Sequence, residues 1–594
     1  MLSLLLRVKE DLLRSIEDEV QRYQIKRDII SKNIFGVDID ENAIEIARLR
    51  LWLSLIEEVE VEDRKQIDTL PNIDFNIMVG NSLIGWLDEP LDVHPLVSLL
   101  ESDYVKATLD SLEVFYGDTV SEARELLSQL NISSTIEAYK ILSSIYSQES
   151  GEKAVRIKGI LEKVRERLYE LISSSYLNFV KEKTKLKKEA IIFLGHNLHK
   201  INPFHWKVDF KDIINSGGFD VIVGNPPYIE NRNYNKIDLT IIKSKTKKSG
   251  QSLFFSKDCG NTHAYFIERS IRLLKEGGQF GFIVPIALVS TDRMESIRKV
   301  IHNNSSEVKY FNFDDRPAKI FSGLEDCRAT IIITTKGKGI KKVTTSKYHR
   351  WYTKDRTKLF KKLKTTFWKI KEPEDNVPKI GEEIEKKILD KLADRTERKS
   401  LGDFMKDSGN KIWYHNAPRY WIHAHSENYL PQIEYYDGYE QDEGENKKRL
   451  GKLKERKTSS HYKPLIFEKA NISVANGLMN SSLFYWWFIM WSNGRDLSMK
   501  QIENFPINLY NFPDALKERV KSLIEELMKN YSETSREKVN LRTGGYVIRI
   551  IEMIPKMSKD IIDRIDDIFA EYFGFNEQQR EYIKNFDLEF RMGS

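Results

Sequence analysis

Apolar residues recur along the first 340 positions in two kinds of spacing, and the two kinds alternate. Short runs rich in Val, Ile and Phe predict strands, because such side chains pack well on a pleated sheet; these runs fall at 33–40, 75–79, 219–224, 280–285, 310–313 and 329–334. Spacings of three and four residues predict helices, and they fall at 1–31, 41–56 and 263–274. Strands alternating with helices are typical of a doubly wound α/β sheet.

Other stretches depart from this alternation. Residues 87–200 are charge-rich with helical spacing, so they predict a helical insertion between the third and fourth strands. Gly277-Gly278 is expected to separate the helix at 263–274 from the strand that follows. Residues 513–590 are also expected to be helical. His205 has no second metal ligand nearby in the sequence, and a packing role is expected for it.

The strand predicted at 219–224 ends in Gly-Asn-Pro-Pro-Tyr, which runs from Gly224 to Tyr228. Its unbroken Val-Ile-Val run predicts a buried strand. Two prolines cannot continue a hydrogen-bonded ladder, so the strand should stop at Asn225. The tetrad would therefore lie at the carboxyl edge of the sheet, where open α/β folds bind ligands. A plain strand-ending turn is the alternative interpretation.

The tetrad in this context resembles that of amino-methyltransferases, and of the N6-adenine DNA methyltransferases in particular. The resemblance implies that the Asn225 side-chain oxygen and the Pro226 carbonyl accept hydrogen bonds from the target amine. Tyr228 would stack on an adenine flipped out of double-stranded DNA. Pro227 and Phe321 are implied substrate contacts, with Phe321 on the outer face of the base; a core role is the alternative for Phe321.

The same resemblance implies S-adenosylmethionine as methyl donor, bound at the ends of two earlier strands. Asp38 would accept hydrogen bonds from the ribose hydroxyls, and Ile39 would pack on the adenine of the cofactor. Asn81 and Ser82 lie in the loop implied to contact that adenine, where the family usually has Asp in place of Asn81. An ordinary strand end capped by Asp38 and Asp40 is an equally weighted alternative.

The remainder of the chain changes in composition. Residues 231–262 carry many lysines and are expected to form a loop that contacts DNA phosphates or is simply solvated. Residues 1–340 are assigned to the methyltransferase domain and 341–400 to a connector. Residues 401–594 are assigned to a mixed α+β target-recognition domain that ends in helices.

The proposed recognition domain is dense in aromatic and basic residues, which suits backbone and groove contacts. A solvated face is the equal alternative for its basic run, which contains Lys447, Lys448, Arg449, Lys452, Lys454, Arg456 and Lys457. The order of parts resembles the C-terminal portion of type IIG restriction–modification enzymes, which share Asn493-Gly-Arg-Asp496 followed by Phe505-Pro506.

Composition narrows the class of protein. The 594 residues carry a net charge of +5, with 40% hydrophobic and 31% charged residues, which fits a globular protein with only local basic surface. Two cysteines, Cys259 and Cys327, argue against a disulfide framework and fit a cytoplasmic protein. No apolar run is long enough to cross a membrane.

One family feature is missing. The Gly-rich turn that cradles the methionine part of the cofactor does not precede residue 34. Three interpretations stay open. The chain is an adenine methyltransferase of a restriction–modification system. It is a non-catalytic recognition fragment whose partner polypeptide supplies the turn and any nuclease. Or it methylates protein glutamine or RNA guanine, since other enzymes share Asn-Pro-Pro-Tyr.

Overall fold

The computed structural model describes residues 19–57, 71–87, 102–183, 192, 200–243, 253–321, 327–340, 342–441, 448–542 and 546–593. The chain divides into two compact units. The first comprises Met1–Phe282 and Thr335–Lys338, and the second comprises Ile283–Thr334 and Gly339–Ser594.

The first unit alternates short strands with helices. In chain order it contains α1 (Glu19–Asn33), β1 (Gly36–Asp38), α2 (Glu41–Ile56), β2 (Ile77–Val79), α3 (Asp103–Tyr116), α4 (Asp118–Ser128), α5 (Ile132–Gln148), α6 (Gly151–Lys183), α7 (Trp206–Asp209), α8 (Lys211–Asn215), β3 (Phe219–Gly224), α9 (Lys236–Ile242), α10 (Thr262–Leu273) and β4 (Leu274–Pro285), whose last residues enter the second unit.

The strands of the first unit form two separate parallel pairs. β1 pairs with β2, with Asp38 opposite Val79. β3 pairs with β4, with Gly224 opposite Phe282. The α/β class is confirmed, but the sheet order does not join β1 and β2 to β3. The helix at 41–56 is confirmed, and the Asp40 carboxylate caps it by accepting from the Asn42 amide.

Strand β3 is not buried as its sequence predicts. Val221 and Val223 are 47% and 52% exposed. Ile222, on the opposite face of the strand, packs into a cluster with Phe210 and Leu273. Only one face of β3 is therefore covered among the described residues.

The expected break at Gly277-Gly278 is also wrong. β4 begins at Leu274, directly after α10, and includes both glycines. Gly277 has a φ of +77°, and the β3–β4 register shifts beside it, from Phe219 opposite Leu274 to Val221 opposite Gln279. The two glycines therefore form an irregularity within the strand, and Gly277 tolerates the left-handed backbone that it requires.

The insertion predicted at 87–200 is helical over the residues described, 102–183. Helices α3 to α6 bury a shared apolar cluster that includes Leu109, Leu142 and Leu161. Asp74, just before β2, accepts from Tyr146 and Lys158 on this insertion at 2.6 and 2.8 Å. These bonds fix the insertion to the strand that precedes the predicted cofactor loop.

The predicted loop at 231–262 contains helix α9, so a loop is wrong there. Residues 244–252, with three of its lysines, lie outside the described residues, as do residues 1–18 of the predicted first helix.

The second unit begins with α11 (Ala287–Ser290) and α12 (Glu295–Asn303) and contains a mixed sheet. Its strands are β5 (Ser305–Phe313), β6 (Ala329–Lys336), β7 (Lys342–His349) and β8 (Thr365–Trp368), in the order β6-β5-β7-β8. β5 and β7 are parallel, whereas β8 is antiparallel to β7. The segment assigned to a connector thus supplies two strands to this sheet, and the predicted domain boundaries stay predictions.

The C-terminal part of the second unit is α+β. Its strands are β9 (Met405–His415), β10 (Ala424–Ser426), β11 (Gln432–Tyr436), β12 (Tyr439–Gln441), β13 (Lys448–Leu450), β14 (Leu453–Thr458), β15 (Tyr462–Phe467), β16 (Arg536–Leu541) and β17 (Val547–Glu552). Its helices are α13 (Glu383–Arg395), α14 (Ile472–Asn480), α15 (Ser482–Trp491), α16 (Met499–Glu503), α17 (Asp514–Thr534), α18 (Lys559–Phe573), α19 (Glu577–Lys584) and α20 (Leu588–Met592).

These strands form two larger sheets and one small hairpin. The sheets have the orders β10-β9-β15 and β14-β11-β17-β16, and β12 pairs with β13. The hairpin β16–β17 corrects the helix predicted over 513–590, because Val-Ile-Arg-Ile-Ile is rich in β-branched residues. Helix α15 is buried along nearly its whole length, so its aromatic run belongs to the core.

Candidate functional site

The Asn-Pro-Pro-Tyr corner is fastened to the first turn of α10. The Thr262 hydroxyl donates to the Pro227 carbonyl and accepts the Ile229 amide at 3.1 Å. The Thr262 amide in turn donates to the Ile229 carbonyl at 3.0 Å. Thr262 is fully buried. One side chain therefore holds the backbone on both sides of Tyr228, a role that the sequence analysis missed.

Tyr228 and Asn225 contact each other directly. The Tyr228 hydroxyl donates to the Asn225 side-chain oxygen at 3.1 Å. Asn225 is exposed, Tyr228 is half-buried and Pro226 is buried between them. The bond fixes which way the amide oxygen points and leaves that oxygen a second lone pair for an incoming donor.

The glycine before the corner sets its distance from β4. A Cβ at Gly224 would lie 2.9 Å from the Phe282 ring, which is closer than van der Waals contact allows. Since Gly224 is opposite Phe282 in the strand pair, the ring packs directly on the glycine backbone. The absence of a side chain at this position therefore places Asn225 close to β4.

A buried histidine supports the Tyr228 ring. His263 lies edge-on to Tyr228, with ring centroids 6.3 Å apart. Its Nδ1 is 2.7 Å from the Asn261 side-chain oxygen, so Nδ1 carries the proton in this bond. Burial lowers the pKa of His263 to about 3. His263 is therefore neutral at physiological pH and acts as a packing group for the corner.

The loop after β2, which contains Asn81 and Ser82, is held by hydrogen bonds from both its side-chain and its backbone groups. The Asn81 side-chain oxygen accepts the Leu83 amide at 3.1 Å. The Ser82 carbonyl accepts from the Trp206 indole at 3.3 Å, and the Leu83 carbonyl accepts from Arg269 at 2.6 Å. The backbone of this loop is consequently fixed within the unit.

The Asn81 amide is paired with a buried carboxylate from α9. Its Nδ2 donates to Asp238 at 2.9 Å, and the Tyr234 hydroxyl donates to the same carboxylate oxygen at 3.1 Å. Burial raises the pKa of Asp238 above its ordinary value. An Asp at position 81 would bring two carboxylates together, which cannot both ionise at this distance. Asp238 thus explains why an Asn stands here.

The residues predicted to hold the rest of the cofactor are exposed. The Asp38 carboxylate lies at the end of β1 and accepts the Asp40 amide at 2.9 Å. Ile39 is 61% exposed, which is unusual for an aliphatic side chain next to a strand. An accessible carboxylate beside an accessible apolar surface suits the ribose and base of an adenosine, so these residues fit the predicted role.

Phe321 lies in the second unit, whereas Tyr228 lies in the first, so their predicted stacking on one base stays a prediction. Phe321 is half-buried at the end of the segment that follows β5. Arg356 holds the backbone just before it by donating to the carbonyls of Lys319 and Ile320 at 3.0 and 3.1 Å.

Three of the seven residues in the predicted basic run lie on an open sheet. All six residues of β14 are exposed, which places Lys454, Arg456 and Lys457 on both faces of an edge strand. Arg456 pairs with Glu434 at 2.9 Å, and Lys454 and Lys457 also have a carboxylate within 4 Å, so each of these three charges is partly neutralised internally. Lys457 lies over the Tyr435 ring, 5.7 Å from its centroid. Lys447 is outside the described residues.

Part of the aromatic content of the proposed recognition domain is buried. Tyr414 and Trp421 are buried, and Trp421 packs on Arg591 at 3.8 Å, so these two belong to the core. The Asn493 side chain accepts the amides of Arg495 and Asp496 at 2.9 and 3.2 Å. This turn leaves Arg495 and Asp496 exposed and available to a partner.

Other sites of possible function are limited within the described residues. His205 is buried and contacts the Trp86 amide and Ser173, as expected for a packing residue. The described residues contain no group of three or more His, Cys, Asp or Glu arranged to hold a metal ion. They also contain no helix long and apolar enough to span a membrane.

A family model described as Eco57I restriction-modification methylase matches residues 32–321. This match includes both the predicted cofactor residues and the Asn-Pro-Pro-Tyr corner, so the sequence resemblance is confirmed for this part of the chain.

Two curated relatives are similar over about half of this chain. A putative type II restriction enzyme and methyltransferase of Methanocaldococcus jannaschii is 33% identical over 351 residues, which is 56% of this chain and 28% of the relative. The type II restriction enzyme and methyltransferase RM.Eco57I of Escherichia coli is 25% identical over 296 residues, or 49% of this chain and 18% of the relative. The chain thus spans less than a third of each.

Among solved structures, the type IIL restriction-modification enzyme MmeI in complex with DNA aligns over 99% of this chain and 78% of its own, with 9% identity and a TM-score of 0.34. A score this low establishes neither fold nor function. The family match and the two relatives agree with each other: residues 32–321 are a domain of the Eco57I restriction-modification methylase family.

Proposed function

We propose that this chain transfers the methyl group of S-adenosylmethionine to the N6 amino group of an adenine in double-stranded DNA, as part of a restriction–modification system. The observation that carries the proposal is the exposed Asn225 amide, whose oxygen accepts from Tyr228, in a corner that Thr262 holds at Pro227 and Ile229. The curated relatives are named as type II restriction enzymes and methyltransferases, which supports the same reaction class.

The corner supplies acceptors at fixed positions. The adenine amine is a poor nucleophile because its lone pair is delocalised into the ring. The free lone pair of the Asn225 oxygen and the Pro226 carbonyl accept its two hydrogens and favour a pyramidal nitrogen. This preorganised polarisation stabilises the transition state more than the ground state. The proton then leaves to solvent, since Asn225 is exposed.

Tyr228 and Phe321 are the aromatic surfaces proposed to hold the flipped base. Stacking is worth roughly 1–3 kcal/mol per base contact, which is comparable to the few kcal/mol spent in unstacking. Pro227 completes the turn that separates Tyr228 from Asn225.

The cofactor, when bound, supplies an electrophilic methyl group. Asp38 would accept from its ribose hydroxyls, and Ile39 would cover its adenine. The loop with Asn81 and Ser82 would border that adenine, and its fixed backbone keeps the boundary rigid. Because the methyl is strongly electrophilic, transfer needs alignment more than a general base.

Double-stranded DNA is the proposed partner of residues 401–594, with β14 as a phosphate-contacting strand. Its lysines and arginine project from an edge strand whose six residues are all exposed. Phosphate contacts of this kind position a protein on a duplex without reading sequence.

The second candidate is a non-catalytic recognition subunit that needs another polypeptide for the Gly-rich turn and any nuclease. The separation of β1–β2 from β3–β4 favours a requirement for more protein, because methyl transfer needs the cofactor and the corner in one fixed arrangement.

Transfer of a radiolabelled methyl from S-adenosylmethionine to duplex DNA, followed by digestion to nucleosides, tests the proposal. Label in N6-methyladenine is expected in at least one of two conditions, the chain alone or the chain with a companion polypeptide. Label in another base, or in RNA or protein instead, would refute adenine methylation. Duplex binding with no label under either condition would favour the recognition subunit.

A further inference from the structure

Phe255 is an exposed aromatic residue between two buried neighbours. Phe254 and Ser256 are 2% and 0% exposed, whereas Phe255 is 58% exposed. Phe255 opens the short 3₁₀ helix Phe255–Asp258, which lies just before α10. The Phe254 ring packs against Tyr265, with ring centroids 6.0 Å apart. The fold therefore turns one of two adjacent phenylalanines inward and the other into solvent.

A buried carboxylate fixes the backbone at Phe255. Glu268 on α10 is 3% exposed, and its Oε1 accepts the Phe255 amide at 3.0 Å. Its Oε2 accepts the Ser256 amide and hydroxyl at 2.9 and 2.7 Å. A buried carboxylate is costly unless hydrogen bonds satisfy it, and here all three of these bonds hold one turn of backbone. The Phe255 ring is consequently presented to solvent from a fixed base.

The same segment is joined to the residues that follow the Asn-Pro-Pro-Tyr corner. The Asn231 amide donates to the Gly260 carbonyl at 3.0 Å. The Tyr265 hydroxyl lies 3.0 Å from the Asn231 side-chain oxygen and 3.1 Å from the Lys257 carbonyl. Thr262, which fastens the corner, follows two positions after Gly260. The exposed aromatic and the corner are therefore held by one hydrogen-bonded junction.

The charge beside Phe255 suits contact with bases rather than with phosphates. Lys257 pairs with Asp258 at 2.6 Å, so the 3₁₀ helix presents no net charge. Phosphate contacts depend on cations that neutralise the DNA backbone. An apolar ring on a rigid, neutral turn is instead the kind of group that proteins insert between base steps.

Flipping an adenine out of a duplex leaves a gap in the base stack. The enzyme spends free energy on unpairing and unstacking that base. A side chain that enters the stack replaces part of the contact that is lost, so it favours the open state of the duplex.

We propose that Phe255 inserts into the base stack of double-stranded DNA beside the flipped adenine and fills part of the space that the adenine leaves. Glu268 is the positioning residue for this ring. The inference rests on the adenine methylation proposed above and adds to it the group that holds the duplex open. Tyr228 and Phe321, by contrast, are proposed to hold the flipped base itself.

The test compares methyl transfer on two short duplexes, using the full chain, alone or with a companion polypeptide. The first duplex is centred on an adenine that the wild-type chain methylates in plasmid DNA. In the second, the thymine opposite that adenine is replaced by an abasic site, so that the adenine has no pairing partner and flips at lower cost.

Phe255→Ala should lower single-turnover transfer on the paired duplex roughly tenfold, the size of effect that one lost stacking contact produces. On the abasic duplex it should stay within about threefold of the wild type, because opening that duplex costs less. With 2-aminopurine in place of the target adenine, the rise in fluorescence on binding should be smaller in Phe255→Ala. Phe255→Trp keeps a flat ring and should keep most of the transfer.

The matched control is Phe115→Ala on α3, where the residue is 59% exposed against 58% at Phe255. This variant should match the wild type on both duplexes. The melting temperature of Phe255→Ala should equal that of the wild type, because the ring that is removed is largely in solvent. Glu268→Gln keeps the size of the side chain but only one oxygen, and it should show a smaller loss of transfer with the same dependence on the duplex.

Several outcomes would overturn the proposal. They are wild-type transfer by Phe255→Ala on the paired duplex, equal losses on the two duplexes, a lowered melting temperature that accounts for the loss, or an equal loss in Phe115→Ala. Wild-type behaviour of Glu268→Gln would overturn the positioning role of Glu268. All of these leave adenine methylation standing, whereas a wild-type chain that methylates no adenine would refute the proposed function and this inference with it.

Discussion

Replacing Thr262 by valine should loosen the Asn-Pro-Pro-Tyr corner without changing the size of the side chain. The hydroxyl that is lost donates to the Pro227 carbonyl and accepts the Ile229 amide. Valine has a methyl group in its place, so both backbone groups lose their partner while the buried volume stays filled. The perturbation is therefore one of hydrogen bonding alone.

The size of the effect follows from the exposure of the two groups. An unsatisfied buried polar group costs about 1–3 kcal/mol. Pro227 is exposed and its carbonyl can turn to water, whereas Ile229 is half-buried. The unpaired Ile229 amide then accounts for most of the lost stability of the corner. We expect the free energy of local opening at the corner to fall by about 1–2 kcal/mol, which is roughly a 5- to 30-fold change in the opening equilibrium.

Hydrogen exchange measures this opening locally, which suits a chain of two compact units better than global unfolding. The reporter is the Asn231 amide, which donates to the Gly260 carbonyl at 3.0 Å across the same junction. This amide should exchange roughly 5- to 30-fold faster in Thr262→Val, because it exchanges when the corner opens. Thr262→Ser keeps the hydroxyl and should stay near the wild type. Equal exchange in the two variants would refute the role assigned to Thr262.

Three other predictions test separate parts of the account. Asn81→Asp should destabilise the chain progressively above about pH 5, because the new carboxylate faces Asp238. The double variant Asn81→Asp/Asp238→Asn, which swaps the two side chains, should restore the melting temperature. Gly224→Ala should cost about 1–3 kcal/mol and reduce methyl transfer, since its Cβ meets Phe282 at 2.9 Å. Burial raises the pKa of Asp566 to about 7. The neutral Asp566 carboxyl stabilises the fold fully below about pH 4, and this contribution is lost as the pH rises through 7. Between pH 5 and 8 the free energy of unfolding in urea should therefore fall by roughly 1–3 kcal/mol more in the wild type than in Asp566→Asn.

Local elements were predictable wherever sequence pattern alone determines them. The helix at 41–56 and its cap at Asp40 match α2, and the alternation of strands and helices gave the α/β class. The strand that ends before Asn225 was predictable because proline cannot continue a ladder.

Features that depend on distant partners were not predictable. Thr262 and Asp238 act through residues 33 or more positions away, and nothing near them in the sequence signals those bonds. The prediction that β3 is buried was wrong for a related reason. Its sequence encodes coverage on both faces, but coverage depends on what packs there, and that is a property of the assembly rather than of the strand.

The most direct test of the central claim compares Asn225→Ala with the wild type for methyl transfer and for duplex binding, in the presence of S-adenosylmethionine and the companion polypeptide. Transfer should be abolished while the dissociation constant for the duplex changes by no more than a few-fold, because Asn225 acts on the amine and not on the backbone of DNA. Transfer that persists in Asn225→Ala, or binding that falls as far as transfer does, would contradict the assignment of the corner as the site that holds the target amine.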